Sequence, residues 1–187
     1  MKEKLYPKIF VDLILEIQLR KLGKFIILNE PDITRYKGEK IIIYSNHFYI
    51  YDVHILNRLR KTVFKDRKLM IWMQEYKRYP FFSKFALILD FKTKYDRAIS
   101  ILKTIRLLNS FPDKFYFFIF PEGKLHDERE GILKFNPRIY EFLGKIKPFY
   151  SVPVVFKVRK NEVIVNFGKI ELNEFSRDKL VELLEML

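Results

Sequence analysis

The apolar residues of this chain follow two different spacings, which separate predicted helices from predicted strands. Apolar positions three and four residues apart predict helices at residues 6–22, 95–109 and 180–187, with another expected to begin near Asp52. Thr93 and Asp96 are spaced as a capping box at the start of the second of these. Short runs of β-branched and aromatic residues predict buried strands at residues 25–28, 41–44, 69–73, 115–120, 152–158 and 162–167. Because strands that are apolar on both faces alternate with helices, we expect an α/β fold whose mostly parallel central sheet is flanked by helices.

The predicted N-terminal helix, within residues 1–22, is amphipathic and has a wide apolar face. Asp12, Glu16 and Arg20 form only a narrow polar stripe among apolar residues at helical spacing. Such a face must be covered, and two ways of covering it stay open. Either the helix packs on the domain, or it lies in the interface of a membrane.

The length and composition predict one domain over residues 1–187. A chain of 187 residues with 49% hydrophobic residues can build one sizeable core and is too short for two ordinary domains. Its longest uninterrupted apolar run is residues 115–120, far short of the roughly 20 residues of a spanning helix. The N-terminus lacks a secretory cleavage pattern and the chain has no cysteine, so we expect a cytoplasmic protein.

The formal net charge of +13 indicates an anionic partner. Nucleic acid, a membrane surface and a phosphorylated substrate all qualify, and a solvated basic surface that aids solubility is the plainer alternative. The aromatic content of 17% favours an anionic membrane surface, because aromatic and basic side chains together suit a bilayer interface. Residues 76–85 mix the two types in this way, although core packing explains their aromatic residues equally well. No RNA-binding signature is present, so we expect no nucleic acid.

The connection after the strand at residues 41–44 contains the first candidate for chemistry. His47 and Asp52 lie five residues apart where this strand gives way to a helix. A carboxylate that accepts one imidazole N–H fixes the tautomer and leaves the other nitrogen able to take a proton from a hydroxyl. The alternative is an ordinary hydrogen-bonded loop histidine. A metal site that also includes His54 is disfavoured, because positions 52 and 54 diverge by about 200° on a helix.

A second candidate follows the strand at residues 115–120. Pro121 and Gly123 predict a tight turn at the end of this strand, which would present the Glu122 carboxylate. In open α/β sheets ligands bind beyond the carboxyl ends of the strands, so we expect Glu122 in the same crevice as His47. An ordinary turn with a solvated glutamate is the alternative.

In this order and spacing, the segments resemble the glycerolipid acyltransferase family, whose best-known members make phosphatidate from lysophosphatidate. Family members have Asn-His-x4-Asp, then a block similar to Pro-Phe-Phe-Gly followed by Gly and Arg, then Phe-Pro-Glu-Gly, and last an apolar residue before Pro-Val. The corresponding positions here are Asn46, His47 and Asp52, then residues 80–83 continuing to Lys92, then residues 120–123, and last residues 152–154. The resemblance runs from about residue 23 to the end of the chain.

The resemblance implies a catalytic pair, His47 and Asp52, and a set of substrate-binding residues. That set is Asn46, Lys92, Glu122, Gly123, Lys124 and Arg129. In the family, arginines of the second and third blocks are held to bind the acceptor phosphate, whereas here lysine stands at position 92 and Lys-Leu at 124–125. An ammonium offers a point charge in place of a two-pronged guanidinium. Either the acceptor differs from lysophosphatidate, or Lys124 and Arg129 substitute for the arginines.

The function implied by the resemblance is transfer of a fatty acyl group to a hydroxyl of a glycerolipid or lysophospholipid. The acyl donor would be acyl-CoA or acyl carrier protein as a co-substrate, with no cofactor and no metal. The implied location is cytoplasmic, peripheral on the inner face of the cell membrane. The main rival is a basic module that binds nucleic acid or an anionic membrane without catalysis. A lipase-like hydrolase is disfavoured because no Gly-x-Ser-x-Gly elbow is present.

Overall fold

The computed structural model describes residues 8–74, 82–83 and 86–187, with side chains described from Leu13 onward. Its strands are β1 (Lys24–Leu28), β2 (Ile41–Ser45), β3 (Lys68–Met73), β4 (Ala86–Asp90), β5 (Phe115–Ile119), β6 (Tyr150–Arg159), β7 (Glu162–Phe167) and β8 (Glu171–Leu172). Its α-helices are α1 (Lys8–Lys21), α2 (Asp52–Thr62), α3 (Lys94–Ser110), α4 (Pro137–Gly144) and α5 (Arg177–Glu185). In the part of the chain that the structure describes, no helix is long and apolar enough to span a bilayer.

One sheet joins all of these strands, in the order β1-β7-β6-β2-β5-β3-β4, with the short β8 paired to β6. The five strands β6, β2, β5, β3 and β4 run parallel to one another. β7 is antiparallel to β6, and β1 runs parallel to β7. The sheet is therefore mostly parallel, as the strand pattern predicts, and the adjacent strands β2 and β5 end at the same edge.

Helices cover both faces of the sheet, which explains why the central strands are apolar on both sides. Ile41 and Ile43 of β2 face a core that includes Ile55 and Leu59 of α2. Ile42, between them, faces the opposite core, to which α3, α4 and α5 contribute. Successive side chains of a strand point to opposite faces, so an uninterrupted apolar run is what a doubly covered strand requires. The predicted α/β architecture is confirmed.

The polar signals at helix starts were partly readable from the sequence. Thr93 and Asp96 form the expected capping box, in which each side chain accepts from the other residue's backbone N–H. α4 was not predicted, although Asn136 caps it and Pro137 occupies its first turn. β4 was not predicted either, because residues 86–90 were read as part of a motif. Of the predicted basic and aromatic segment at residues 76–85, which includes the block at residues 80–83, the structure describes only Phe82 and Ser83.

α1 packs on α2 and leaves part of its apolar surface uncovered. Leu15 and Leu19 are buried. Gln18 accepts a hydrogen bond from the His54 ring of α2 at 2.6 Å, and Glu16 pairs with Arg58. Three further apolar residues of α1 are about half exposed: Leu13, Ile14 and Ile17. One part of the predicted wide face thus lies on the domain, and another part faces outward. Residues 1–7 of the predicted helix lie outside the described residues.

The turn from α1 into β1 depends on Gly23. Its φ of +113° lies in the region that favours glycine. The Asn161 carbonyl, which accepts from Lys24 N at 2.8 Å, passes so close that an added Cβ would lie 1.9 Å from its oxygen. This crossing joins the edge strand β1 to the turn between β6 and β7.

Candidate active site

His47 and Asp52 meet at the carboxyl end of β2. Nδ1 of His47 lies 2.8 Å from Oδ2 of Asp52, and Tyr49 N also donates to that oxygen at 3.4 Å. Asp52 is the first residue of α2, and its backbone N donates to the Tyr49 carbonyl at 3.1 Å. This tight turn closes the five-residue separation. The Nε2 atom of His47 has no hydrogen-bond partner among the described residues.

The two members of this pair differ sharply in exposure. The Asp52 side chain is 1% exposed, whereas the imidazole of His47 is 27% exposed. Burial raises the pKa of the Asp52 carboxyl, and the hydrogen bond from His47 opposes that effect only in part. Oδ1 of Asp52 is buried and has no partner among the described residues. A buried carboxylate that bonds to one imidazole can hold the proton of that ring on Nδ1, which leaves Nε2 to act as a base.

Phe120 holds the plane of the His47 ring. The two rings are stacked, with centroids 4.1 Å apart and an interplanar angle of 15°. Because the stacking fixes the ring plane and Asp52 fixes Nδ1, the free Nε2 points in a defined direction. Phe120 itself directly follows β5, so the neighbouring strands β2 and β5 jointly orient the base.

Asn46 is fully buried and bonds to the main chain of β6. Its Oδ1 accepts from Phe156 N at 2.8 Å and from Ser45 Oγ at 3.1 Å. Its Nδ2 donates to the Phe156 carbonyl at 2.9 Å. The side chain thus continues the hydrogen bonding between β2 and β6 one step beyond Ser45. The structure places this predicted binding residue next to His47, with its amide engaged by the protein.

Glu122 lies against the main chain of His47, as the predicted shared crevice requires, but its carboxylate is enclosed. Its side chain is 0% exposed. Oε1 accepts from His47 N at 3.1 Å, and Oε2 accepts from Leu133 N at 2.7 Å and from Nε2 of His126 at 2.5 Å. The alternative of a solvated glutamate is therefore excluded. All three contacts described for this carboxylate come from the protein.

The cationic candidates lie farther out on the same edge of the sheet. Gly123 turns the chain with φ +75°, and Lys124 follows it in an exposed position. Arg129 pairs with Asp127 through two bonds of 3.0 and 2.6 Å, and holds the pKa of that carboxyl down at about 2. Lys92 is exposed just after β4, which β5 and β3 separate from β2, so roughly 14 Å of sheet lies between them. The structure gathers Gly123 and Lys124 near His47 and leaves Lys92 apart.

Two residues near the pair were not predicted. His126 N donates to the His47 carbonyl at 3.2 Å while the His126 ring binds Glu122. The Tyr49 hydroxyl donates to Glu128 and accepts from Val158 N at 3.2 Å, and burial raises its pKa. No sequence signal marks either residue, because a spacing of four between Glu122 and His126 indicates contact only on a helix, and this segment is not one.

Exposed apolar side chains lie on both loops of the site, the one that contains His47 and the one that contains Glu122. Ile50 is 71% exposed and Tyr51 is 39% exposed, in the connection between His47 and the helix that begins at Asp52. Leu125, on the opposite loop, is 48% exposed. The ring of His54 bonds to Gln18 of α1, whereas the ring of His47 bonds to Asp52, so the two imidazoles have different partners.

Comparisons with known proteins show the fold. No protein-family model matches the chain, and no curated protein matches it. Among solved structures, the crystal structure of the 1-acyl-sn-glycerophosphate (LPA) acyltransferase, PlsC, from Thermotoga maritima is similar over 100% of this chain and 82% of that chain. The TM-score is 0.62 and the sequence identity is 15%. The chain thus has an acyltransferase-like α/β fold, with a mostly parallel sheet flanked by helices.

Proposed function

We propose that this protein is an O-acyltransferase of the glycerolipid type, which moves a fatty acyl group from acyl-CoA or acyl carrier protein to a hydroxyl of a glycerolipid or lysophospholipid. The observation that carries the proposal is the 2.8 Å contact between Nδ1 of His47 and a buried Asp52, with Nε2 left unbonded where the strands end. The fold shared with an LPA acyltransferase supports the same class of reaction.

His47 acts as the general base in this proposal. Nε2 takes the proton of the acceptor hydroxyl as the oxygen attacks the thioester carbonyl of the donor. The resulting tetrahedral intermediate expels the thiolate, which takes the proton back from the imidazolium. An ester and a free thiol are formed, and the enzyme returns to its starting state. Asp52 keeps the proton of the neutral ring on Nδ1 and stabilises the imidazolium, as the aspartate of a Ser-His-Asp triad does.

The acceptor carries an anionic group that the basic residues of the site attract. Lys124 is exposed directly after the Glu122 turn, and Arg129 follows in the same loop. Arg129 must exchange part of its pairing with Asp127 to contact a phosphate, whereas Lys124 needs no such exchange. Lys92 supplies charge from farther along the edge of the sheet. Glu122 and Asn46 stabilise the site by accepting hydrogen bonds from the main chain, Glu122 from His47 N and Asn46 from Phe156 N.

An anionic membrane surface is the proposed partner, and the protein would lie peripherally on the inner face of the cell membrane. Ile50, Tyr51 and Leu125 present exposed apolar surface on the two loops of the site. The net charge of +13 supplies electrostatic attraction to anionic lipids. Together these features would hold the two loops against the headgroups, so that a lipid acceptor need not leave the bilayer completely.

The test is an acyl-transfer assay with the purified chain. Lysophosphatidate, lysophosphatidylcholine and monoacylglycerol are offered separately, each with acyl-CoA or acyl carrier protein as donor, and products are identified by mass spectrometry. We expect ester formation matched by thiol release, and loss of both in His47→Ala with the fold unchanged by circular dichroism. Equal turnover in that variant would refute the general-base role. A salt-sensitive complex with RNA and no transfer with any pair would favour the binding-module rival.

A further inference from the structure

Glu122 and His126 form a buried pair next to the general base. The His126 side chain is 2% exposed and the Glu122 side chain is 0% exposed. A carboxylate in such a position is costly unless its oxygens are bonded, and here both oxygens accept from protein donors. The pair is therefore fully engaged within the protein and is not a free group that awaits substrate.

Both nitrogens of the His126 ring face acceptors. Nε2 lies 2.5 Å from Oε2 of Glu122, and Nδ1 lies 3.2 Å from the carbonyl oxygen of Asp127. A carboxylate accepts hydrogen bonds and does not donate them, so the ring donates to Glu122 through a proton on Nε2. A hydrogen bond to a carboxylate oxygen is stronger than one between two neutral groups. The Asp127 carboxylate is itself taken by Arg129.

The loop that contains Glu122 and His126 also forms two hydrogen bonds with the main chain of His47. Oε1 of Glu122 accepts from His47 N at 3.1 Å, and His126 N donates to the His47 carbonyl at 3.2 Å. The His126 ring also contacts Phe48 edge to face, with centroids 5.1 Å apart. The peptide groups on either side of the His47 Cα are thus fixed by one loop, while Asp52 and Phe120 fix its ring.

We propose that His126 is a positioning residue for His47: its ring donates to the Glu122 carboxylate and orients it, and this carboxylate holds the main chain of the general base in place. This inference rests on the proposed acyl-transfer function for its kinetic consequence. If the His126 ring is removed, Glu122 loses its 2.5 Å hydrogen bond while its carboxylate remains buried. The carboxylate is then less well fixed, and so is the hydrogen bond that it accepts from His47 N. A displacement of about 1 Å at a catalytic group can cost roughly 100-fold in rate.

The experiment compares His126→Ala and His126→Gln with wild type. His54→Gln is the control variant, because the His54 ring bonds to Gln18 of α1 and lies outside the site. We expect kcat in His126→Ala to fall about 10- to 100-fold, with KM for donor and acceptor within about threefold of wild type. The Gln side chain can still donate one hydrogen bond to Glu122, so His126→Gln should recover part of the loss. His54→Gln should keep wild-type kcat.

Nitrogen NMR of the three imidazoles provides a readout that does not depend on turnover. With the histidines labelled, we expect Nε2 of His126 to carry a proton in wild type, and the His47 signals to shift or broaden in His126→Ala. Unchanged His47 signals and unchanged kcat in both His126 variants would overturn the inference, as would a wild-type His126 ring without a proton on Nε2. If wild type transfers no acyl group, the proposed function fails, and the NMR comparison still decides whether His126 holds His47.

Discussion

The imidazole of His47 and the carboxylate of Asp52 lie 2.8 Å apart although the backbone leaves a strand and enters a helix between them. The contact exists because Asp52 N bonds to the Tyr49 carbonyl, which folds the connection into a turn. Since the carboxylate lies at the start of α2, it also benefits from the positive end of the helix dipole. Orientation of the imidazole is thus built into the local backbone.

Removing the negative charge of Asp52 should therefore damage catalysis more than folding. In Asp52→Asn the amide NH2 can donate to an unprotonated Nδ1, which moves the ring proton to Nε2 and blocks the base, and the neutral amide no longer stabilises the imidazolium. By analogy with the aspartate of a serine-protease triad, we expect the acyl-transfer rate to fall by about 10³- to 10⁴-fold. The measurement is kcat with the best donor and acceptor pair.

Asp178→Asn is the matched control, because Asp178 is exposed on α5. It should transfer at the wild-type rate. The free energy of unfolding of Asp52→Asn should stay close to wild type, since the substitution relieves the burial of a charge. A rate within about tenfold of wild type would show that Asp52 does not orient a general base.

The exposed apolar side chains on the two loops of the site should control membrane binding. In a double variant, Ile50→Ser and Leu125→Ser, apolar surface is removed from both loops of the site. We expect the partition coefficient onto vesicles that contain an anionic phospholipid to fall by roughly tenfold, which is about 1.4 kcal/mol. The measurement is co-sedimentation with the vesicles at two salt concentrations.

Leu172→Ser provides the comparison for that experiment. Leu172 is also about half exposed, but it lies on β8, which pairs with Tyr150 at the start of β6 and hence at the opposite edge of the sheet. Its substitution should leave vesicle binding unchanged. An equal loss in both variants would mean that the two loops of the site do not face the membrane.

His54 should make stability depend on pH. Its partial burial lowers its pKa below the ordinary value of 6.5, and its Nδ1 has no partner among the described residues. The unfolded chain therefore takes up this proton at a higher pH than the folded chain. The contribution of neutral His54 to the free energy of unfolding is fully present above pH 6.5, and it is lost as the pH falls through the lowered pKa of the folded state.

Urea unfolding at a series of pH values from about 8 to about 5 tests this expectation. In His54→Gln the fall in unfolding free energy across that interval should be smaller than in wild type. Parallel curves for the two proteins would contradict the assignment. The variant keeps an amide able to bond to Gln18, so loss of the α1 contact is not the difference being measured.

Gly23 should tolerate no side chain. In Gly23→Ala the added carbon would lie 1.9 Å from the Asn161 carbonyl oxygen, at a φ of +113°. Backbone must move to relieve this clash, so we expect a loss of at least about 3 kcal/mol of unfolding free energy. Gly38 has φ +82° and nothing within 4 Å of an added carbon. Gly38→Ala should cost only the backbone strain, about 1 kcal/mol, and equal losses in the two variants would refute the role of the close contact.

The sequence predicted those elements whose pattern and environment agree. The run at residues 41–44 is apolar on both faces because β2 lies in the centre of a doubly covered sheet. The capping box at Thr93 and Asp96 was readable because its bonds are local. β4 was missed because residues 86–90 were interpreted through a motif, and α4 is too short for a clear period.

Within the site, proximity of His47, Asp52 and Glu122 was predictable and the surroundings of Glu122 were not. β2 and β5 are neighbouring parallel strands that end at the same edge of the sheet, so the residues that follow β2, His47 and Asp52, lie close to Glu122, which follows β5. The enclosure of Glu122 depends on Leu133 N and on the His126 ring, which come from an irregular segment. Such contacts follow from the path of a loop, which has no periodic signature in a sequence.

The amide of Asn46 stands in for a peptide group at the last step of the β2–β6 ladder. This amide donates one hydrogen bond to the Phe156 carbonyl and accepts another from Phe156 N. If an oxygen replaced its nitrogen, that oxygen and the Phe156 carbonyl oxygen, both acceptors, would face each other in a dry interior. Asn46→Asp makes that exchange. The substitution would therefore loosen the strand end from which His47 departs, without any change at the reacting groups.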